Sequence, residues 1–307
     1  MRMLITGATG FVGDRLLERL PGEFVVLSRN AERAKKQLAR PAAAVYSWNA
    51  TEEEPPAAAF EGVEAVIHLA GEPVAEGRWT EEKKRRLMES RRLGTRHLVA
   101  AIGKLAEKPR VLVSASAVGY YGSRGEEPLT EAAAPGDDFL AQICIAWEQE
   151  AAAAEQYGLR VTNPRIGIVL GPGGGALKAM LPPFKLGAGS PLGSGQQYMP
   201  WIHRDDLVSQ LLYAVENEAL RGPFNAVAPN PVTNREFSKL LGKVLGRPVF
   251  LPAVPGFVLK LMIGGFAEVL LGSQRVLPAR LEELGFAFQY TELEPALREI
   301  LGKRAEE

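Results

Sequence analysis

The sequence is short of everything that would bind a metal or staple a small fold. It has one cysteine, Cys144, and three histidines, His68, His97 and His203, with no paired spacing. A lone thiol makes no disulfide framework within a chain, which fits a reducing compartment, and scattered histidines give no reason to expect a metal. Net charge is missing as well, with 36 Lys plus Arg against 36 Asp plus Glu. A neutral total favours neither nucleic acid nor an acidic membrane as partner. Long apolar runs are also absent. The most apolar late stretch, Pro255 to Gly272, is broken by Lys260, Gly264-Gly265 and Glu268. A membrane span needs about 20 mainly apolar residues, so this stretch reads as a buried or interface helix. Met1 leads straight into an apolar strand with no visible leader pattern. The expectations are a cytoplasmic protein without membrane or nucleic-acid partners, acting on a small molecule, with a homodimer left open.

What the sequence has is an ordinary globular composition, 46% hydrophobic and 23% charged over 307 residues. That is enough chain for a full core and two closely joined lobes. Its first stretch is the most informative. Met3 to Ile5 is an apolar run of strand length, Gly7, Gly10 and Gly13 follow as G-x-x-G-x-x-G, and an amphipathic run begins at Phe11. This is strand, tight turn and helix, the context in which such glycines bind a dinucleotide. Gly7 allows the turn, Gly10 lets backbone approach a pyrophosphate, and Gly13 lets helix pack on strand. The free N–H groups of the helix start, with Thr9, Phe11 and Val12 around them, then face the phosphates.

Strand and helix patterns alternate through the first half. Glu23–Ser28, Ala44–Trp48, Val63–Leu69, Arg110–Ser114 and Leu159–Thr162 read as strands. Ala31–Leu38, a long helix from Thr80 and one from Asp137 or Asp138 to about Tyr157 lie between them. Acidic, proline-rich Glu52–Ala59 reads as a surface loop. From Gly167 the texture becomes glycine-rich, predicting loop with one short helix. Asp205 or Asp206 caps a helix over Leu207–Glu216, Gly222–Val227 is a further strand, and Thr233 caps another helix. A Phe286-to-Tyr290 piece and a polar tail follow. The rhythm predicts an α/β fold: a Rossmann-type doubly wound parallel sheet with a smaller, mostly helical C-terminal substrate lobe. Residues 1–166 with about 201–230 form the dinucleotide domain, and 167–200 with 231–307 the substrate side.

The end of the second strand selects the cofactor. NAD sites place an acid there for the ribose 2′-hydroxyl. This chain has Ser28-Arg29-Asn30 and no acid. A guanidinium and a hydroxyl suit a 2′-phosphate, so NADP(H) is expected, held by Ser28 and Arg29, with Arg33 one turn on.

Several segments together resemble the extended short-chain dehydrogenase/reductase superfamily. They are Thr6 to Gly13, His68-Leu69-Ala70-Gly71, Gly94-Thr95, Ser114-Ala115-Ser116 with Tyr120-Tyr121-Gly122, Pro164-Arg165 through Pro172, and Trp201-Ile202-His203-Arg204-Asp205-Asp206. More narrowly, Glu72, Arg78-Trp79-Thr80, Ser90-Arg91, Gly136 to Leu140 and Trp147-Glu148 resemble its atypical epimerase family, the nucleoside-diphosphate-sugar epimerase-like proteins, and residues from Pro248 resemble their C-terminal extension. The resemblance implies that Leu69, Ala70, Gly71 and Arg165 join the cofactor site. It also implies hydride transfer in which a tyrosine moves a proton, a lysine four residues later lowers its pKa, and a serine positions the substrate oxygen.

Ser116 falls at the serine position. The tyrosine and lysine have no counterpart. One register places Leu140 and Cys144 there, and the next places Phe139 and Ile143. Tyr120 and Tyr121, after the fifth strand, are the remaining phenols, so Ser116, Tyr120 and Tyr121 are the candidate catalytic residues. Glu72 is a further candidate to accept a proton and Arg91 to reach the cofactor or a substrate anion, each with a plainer role available in a loop carboxylate or a helix-face ion pair. His203 reads as a structural hydrogen-bonder. Lys178 and Lys185, in the glycine-rich stretch, are placed to grip an anion. The sequence supports two functions: an NADP(H)-dependent oxidoreductase or epimerase-like enzyme, and a non-catalytic NADP(H)-binding sensor or scaffold.

Overall fold

A computed structural model describes residues 1–303. The last residues of the polar tail lie outside them. Seven parallel strands form the central sheet: β1 (Arg2–Thr6), β2 (Glu23–Ser28), β3 (Ala44–Ser47), β4 (Ala65–His68), β5 (Val111–Ser114), β6 (Arg160–Ile166) and β7 (Gly222–Ala226). Their order is β3-β2-β1-β4-β5-β6-β7. A short strand, Ser116–Ala117, adds to the end of β6. The chain leaves β1 toward β2 on one side and β4 on the other. The resulting crevice lies at the carboxyl ends of β1 and β4, where open α/β sheets bind ligands.

Alternation along the strands builds a core on each face of the sheet. Met3 and Ile5 pack with Leu16, Leu17, Leu207 and Leu211 from helices α1 (Phe11–Arg19) and α6 (Arg204–Glu216). Leu4 between them packs the other way, with Leu98 and Ile102 of α3 (Glu81–Gly103) and Ala151 of α4 (Phe139–Ala152). Side chains one residue apart on a strand face opposite ways, and a sheet covered on both faces needs both sets apolar. Three more helices matter for the lobe: α5 (Gly175–Lys185), α7 (Asn234–Leu245) and the amphipathic Leu293–Ile300. Leu177, Phe184, Phe237, Leu241 and Leu297 make its separate core.

Caps follow the expected chemistry at three helix starts. Thr80 accepts from Lys83 N, Asp138 from Ala141 N, and Thr233 forms a reciprocal capping box with Glu236. At α6 the structure corrects the reading. His203 is the cap, its Nδ1 accepting from Asp205 N at 3.1 Å. Asp205 instead pairs with Arg15, and Asp206 accepts from Gln289 N and Tyr290 N, so the 286–290 piece is held by a carboxylate rather than a sheet. The end of Glu52–Ala59 is not surface: a 3-10 turn over Ala57–Phe60 buries Ala59 and Phe60. Pro255–Gly272 is not a buried helix. It is two short ones, α8 (Gly256–Ile263) and α9 (Ala267–Leu271), and Phe257, Leu261 and Met262 of α8 are exposed.

Candidate dinucleotide and active site

The glycine loop is built by contacts that exclude side chains. Gly7 has φ +71°, and a Cβ there would stand 2.9 Å from the Leu69 carbonyl carbon. A Cβ on Gly13 would stand 2.2 Å from the Gly7 oxygen and 2.8 Å from Ala8 Cα. Gly10 differs, since a Cβ there would meet only the Gly7 oxygen, at 3.2 Å. Its outer face is open. Gly10 also leaves α1 without a side-chain cap, and the N–H groups of Phe11 and Val12 have no partner among the described residues. An open glycine face beside unpartnered helix N–H groups fits a pyrophosphate. Thr9 is exposed at the tip of the loop.

The loop is docked on β4 through a buried polar chain. Thr6 Oγ1 accepts from Ala70 N at 3.1 Å and lies 2.7 Å from His68 Nδ1, while His68 Nε2 lies 3.1 Å from Thr95 Oγ1. Burial, with a smaller push from Arg91, lowers His68 to about 4. The ring is therefore neutral at physiological pH. Acceptance at Nδ1 and donation from Nε2 satisfy all three partners, and that tautomer is inferred from them. Leu69 and Ala70 thus lie directly across the crevice from Gly7. Gly71 follows against the Arg91 guanidinium, where a Cβ would stand 3.2 Å from Cζ.

At the end of β2, Ser28 is half-buried, and Arg29 is exposed and makes no hydrogen bond or ion pair among the described residues. Asn30 caps α2 (Ala31–Gln37) by accepting from Arg33 N, which turns the chain away and leaves Arg29 beside the rim. The Phe11 ring is enclosed by the second glycine stretch. Cβ atoms on Gly171, Gly174 and Gly175 would stand 3.0, 2.4 and 2.7 Å from it. The Arg204 guanidinium covers it 4.7 Å from the centroid. Those glycines therefore pack against the cofactor loop, and Lys178 and Lys185 lie on α5 rather than in a loop.

Further along the rim, Ser116 Oγ donates to Glu148 Oε1 at 2.6 Å. Glu148 is gripped bidentately by Arg165, Nε to Oε1 and Nη2 to Oε2, both at 2.9 Å. Burial works against the Arg165 charge, but Glu148 more than offsets it and the guanidinium stays protonated. Arg165 Nη1 also donates to the Tyr121 hydroxyl at 3.0 Å, and that hydroxyl donates to Asn225 Oδ1 at 2.6 Å. Tyr121 is fully buried, and burial pushes it up to about 12. Tyr120 stacks on Arg165, with Cζ 3.4 Å from its centroid, and its hydroxyl has no partner among the described residues. Arg165 thus faces Glu148 and the two tyrosines rather than the glycine loop.

Helix α4 contains neither tyrosine nor lysine. Leu140 lies against Gly119, and Cys144 is buried behind Ser116, where burial and the nearby Glu148 raise it to about 11. Glu72 is no free carboxylate. Buried Lys83 donates to it at 2.8 Å and holds its pKa low. Arg91 makes no ion pair among the described residues; it spans the Glu72 and Leu87 carbonyls and lies over the Trp147 ring. His203 Nε2 meets Glu299 at 2.9 Å, a structural junction with the lobe. The Glu148–Arg165–Tyr121–Asn225 network is the part of the site that the sequence reading missed. An arginine inside a strand of a sheet covered on both faces was its available signal, since a buried charge there requires a partner.

A doubly wound parallel sheet with this glycine loop at its switch point, and Ser116 on the same rim, defines the extended short-chain dehydrogenase/reductase class, a nicotinamide-dinucleotide-binding architecture. Comparison with known proteins agrees. The chain belongs to the NAD dependent epimerase/dehydratase family, which it matches over residues 3–226, and residues 254–300 match a domain of unknown function (DUF1731). It is 43% identical to the chloroplastic epimerase family protein SDR39U1 homolog of Arabidopsis thaliana, over 98% of this chain and 87% of that one. It is 38% identical to epimerase family protein YfhF of Bacillus subtilis, over 99% of each. The crystal structure of human epimerase family protein SDR39U1 (isoform2) with NADPH is 35% identical, with a TM-score of 0.85, covering 98% of this chain and 99% of that one.

Proposed function

We propose that the protein is an NADP(H)-dependent oxidoreductase, epimerase-like in fold, that works without a tyrosine–lysine pair. The observation that carries the cofactor choice is Arg29, unpaired and exposed at the end of β2 beside an open glycine cradle. The human relative's NADPH supports the same choice. Phe11 and Val12 N–H hold the pyrophosphate, with Gly7, Thr9, Gly10 and Gly13 shaping its bed. Arg29 and Ser28 hold the 2′-phosphate. The backbone of Leu69, Ala70 and Gly71 walls the crevice opposite. When bound, the nicotinamide supplies or accepts a hydride.

The proton chemistry falls to the rim. Ser116 donates its hydroxyl hydrogen bond to Glu148, so its oxygen is left to accept from a substrate hydroxyl. Tyr120 is the phenol left free to exchange a proton, with the Arg165 charge beneath its ring. Tyr121 and Arg165 brace that arrangement from within the core instead of touching cofactor or substrate. A second reading, a cofactor-bound sensor or scaffold, is favoured by one observation: with Leu140 and Cys144 where the superfamily carries its tyrosine and lysine, α4 supplies neither a phenol nor a cation to the site. NADPH oxidation across a broad panel of carbonyl compounds separates the two. Turnover that falls in Ser116→Ala and Tyr120→Phe, but survives in Tyr121→Phe, supports the enzyme. Tight NADPH binding with no turnover on any compound supports the sensor.

A further inference from the structure

Arg91, half-buried on α3, carries a charge that no ion pair among the described residues neutralises. Its Nη1 donates to the Leu87 oxygen and its Nη2 to the Glu72 oxygen, both at 3.1 Å. A guanidinium has five N–H groups, and the others on Arg91 have no partner among the described residues. The Glu72 carboxylate is taken by Lys83 at 2.8 Å and Arg86 at 3.6 Å. Burial lowers the Arg91 pKa, but an arginine has no neutral form to retreat to in the physiological range. Arg165, the arginine drawn in further along this rim, is matched by Glu148. A charge taken partly out of water, with donors to spare, calls for a partner that this chain does not supply.

Strand order places that partner on one half of the cofactor. Arg29 stands at the end of β2 and the glycine loop at the end of β1. A dinucleotide with its 2′-phosphate on Arg29 and its pyrophosphate on the loop therefore extends its nicotinamide half toward β4 and β5. Arg91 lies on that side. A Cβ on Gly71, at the end of the β4 wall, would stand 3.2 Å from Arg91 Cζ, 3.3 Å from Nη2 and 3.5 Å from Nε. The guanidinium also lies 5.0 Å from the centroid of the Trp147 ring. Cys144, one turn before Trp147 on α4, feels both the Arg91 charge and the Ser116 hydroxyl, each drawing its pKa down against burial. Arg91 thus links the cofactor wall at Gly71 to the Ser116 rim. It brings a cation from α3 to the place where α4 offers only Leu140 and Cys144.

We propose that Arg91 holds the ribose on the nicotinamide side of the dinucleotide, its unused N–H groups donating to the two adjacent hydroxyl oxygens. The proposal rests on the NADP(H) reading above. A planar fork of N–H donors matches two neighbouring oxygens, which a single ammonium group does not. A substrate anion is the poorer partner. The contact of Arg91 with the crevice is at Gly71, in the wall that the cofactor lies against, and its link to Ser116 runs through Cys144.

Calorimetric titration of the full chain with three ligands tests the proposal. NADPH carries both halves of the cofactor. ADP-ribose 2′-phosphate keeps the second ribose but lacks nicotinamide, and adenosine 2′,5′-bisphosphate lacks the whole second half. In Arg91→Met, affinity for NADPH and for ADP-ribose 2′-phosphate falls at least about tenfold, the loss of a charge-assisted hydrogen bond. Affinity for the bisphosphate stays at the wild-type value, which also shows the variant folded. Arg91→Lys keeps the charge but not the fork, and shows the same selective loss at smaller size. NADPH affinity unchanged in Arg91→Met overturns the proposal. So does an equal loss for all three ligands in either variant, the mark of a purely structural role, and so does a loss for NADPH that ADP-ribose 2′-phosphate does not share. A wild type that binds neither NADPH nor the bisphosphate overturns the cofactor reading itself, and this proposal with it.

Discussion

Thr6 Oγ1 and His68 Nδ1 lie 2.7 Å apart, sealed between the ends of β1 and β4. This contact couples the glycine loop to the loop that faces it across the crevice, because the same hydroxyl accepts from Ala70 N. A protonated imidazole cannot accept at Nδ1, so the coupling depends on His68 remaining neutral. Burial holds it at about 4 in the folded protein, against about 6.5 in the unfolded chain. The unfolded state therefore binds the extra proton first as pH falls. The stabilisation is fully present above about pH 6.5, declines below it and levels off near pH 4, amounting to about 3 kcal/mol. Glu72 and Asp205, whose pKa values are also held low, add acid sensitivity of their own. Urea unfolding of wild type and His68→Gln between pH 7 and pH 4 isolates the histidine. The difference between the two curves shrinks as pH falls, and a constant difference would contradict the neutral-ring assignment.

Gly13 and Gly10 separate folding from binding. Gly13→Ala drives a Cβ into backbone at 2.2 Å, a wall that no rotamer relieves. It destabilises by about 3 kcal/mol or more, at the upper end of overpacking costs, and shows as a lowered melting temperature. Gly10→Ala meets one oxygen at 3.2 Å. It melts close to wild type but binds NADPH more weakly, because the new methyl occupies the face open to the pyrophosphate. Equal melting losses in the two variants would count against this division.

Glu148 and Arg165 form a nearly buried pair, with side chains 14 and 3% exposed. Removing one partner strands the other charge. Glu148→Gln therefore costs about 3 kcal/mol, within the range for broken buried pairs, and it leaves Ser116 a neutral amide oxygen in place of a carboxylate. Replacing both, Glu148→Gln with Arg165→Met, costs less than the sum of the single changes. Chemical denaturation of the three variants provides this cycle, and strict additivity would mean the pair is not coupled.

Much of this architecture is legible in the chain because its signals are local. The bounds of β2, the caps at Thr80, Asp138 and Thr233, and the glycine loop each depend on residues within one turn of each other. What escaped is non-local. Gly171, Gly174 and Gly175 read as a flexible loop, but they are glycines because the Phe11 ring occupies the space beside them. Tyr121 reads as a candidate acid, yet Asn225, from the far edge of the sheet, holds its hydroxyl. Hydropathy marked α8 as apolar but carries no information about whether an apolar face is covered.

The cofactor assignment is the centre of the account, and Arg29 tests it most directly. Calorimetric affinities for NADPH and NADH are to be compared in wild type and Arg29→Ala. A charge-assisted bond to the 2′-phosphate contributes about 1.5–3 kcal/mol. Wild type is expected to prefer NADPH, and that preference to fall at least about tenfold in the variant with NADH affinity unchanged. An NADPH preference that survives the loss of Arg29, or a wild type that binds NADH as tightly as NADPH, would contradict it.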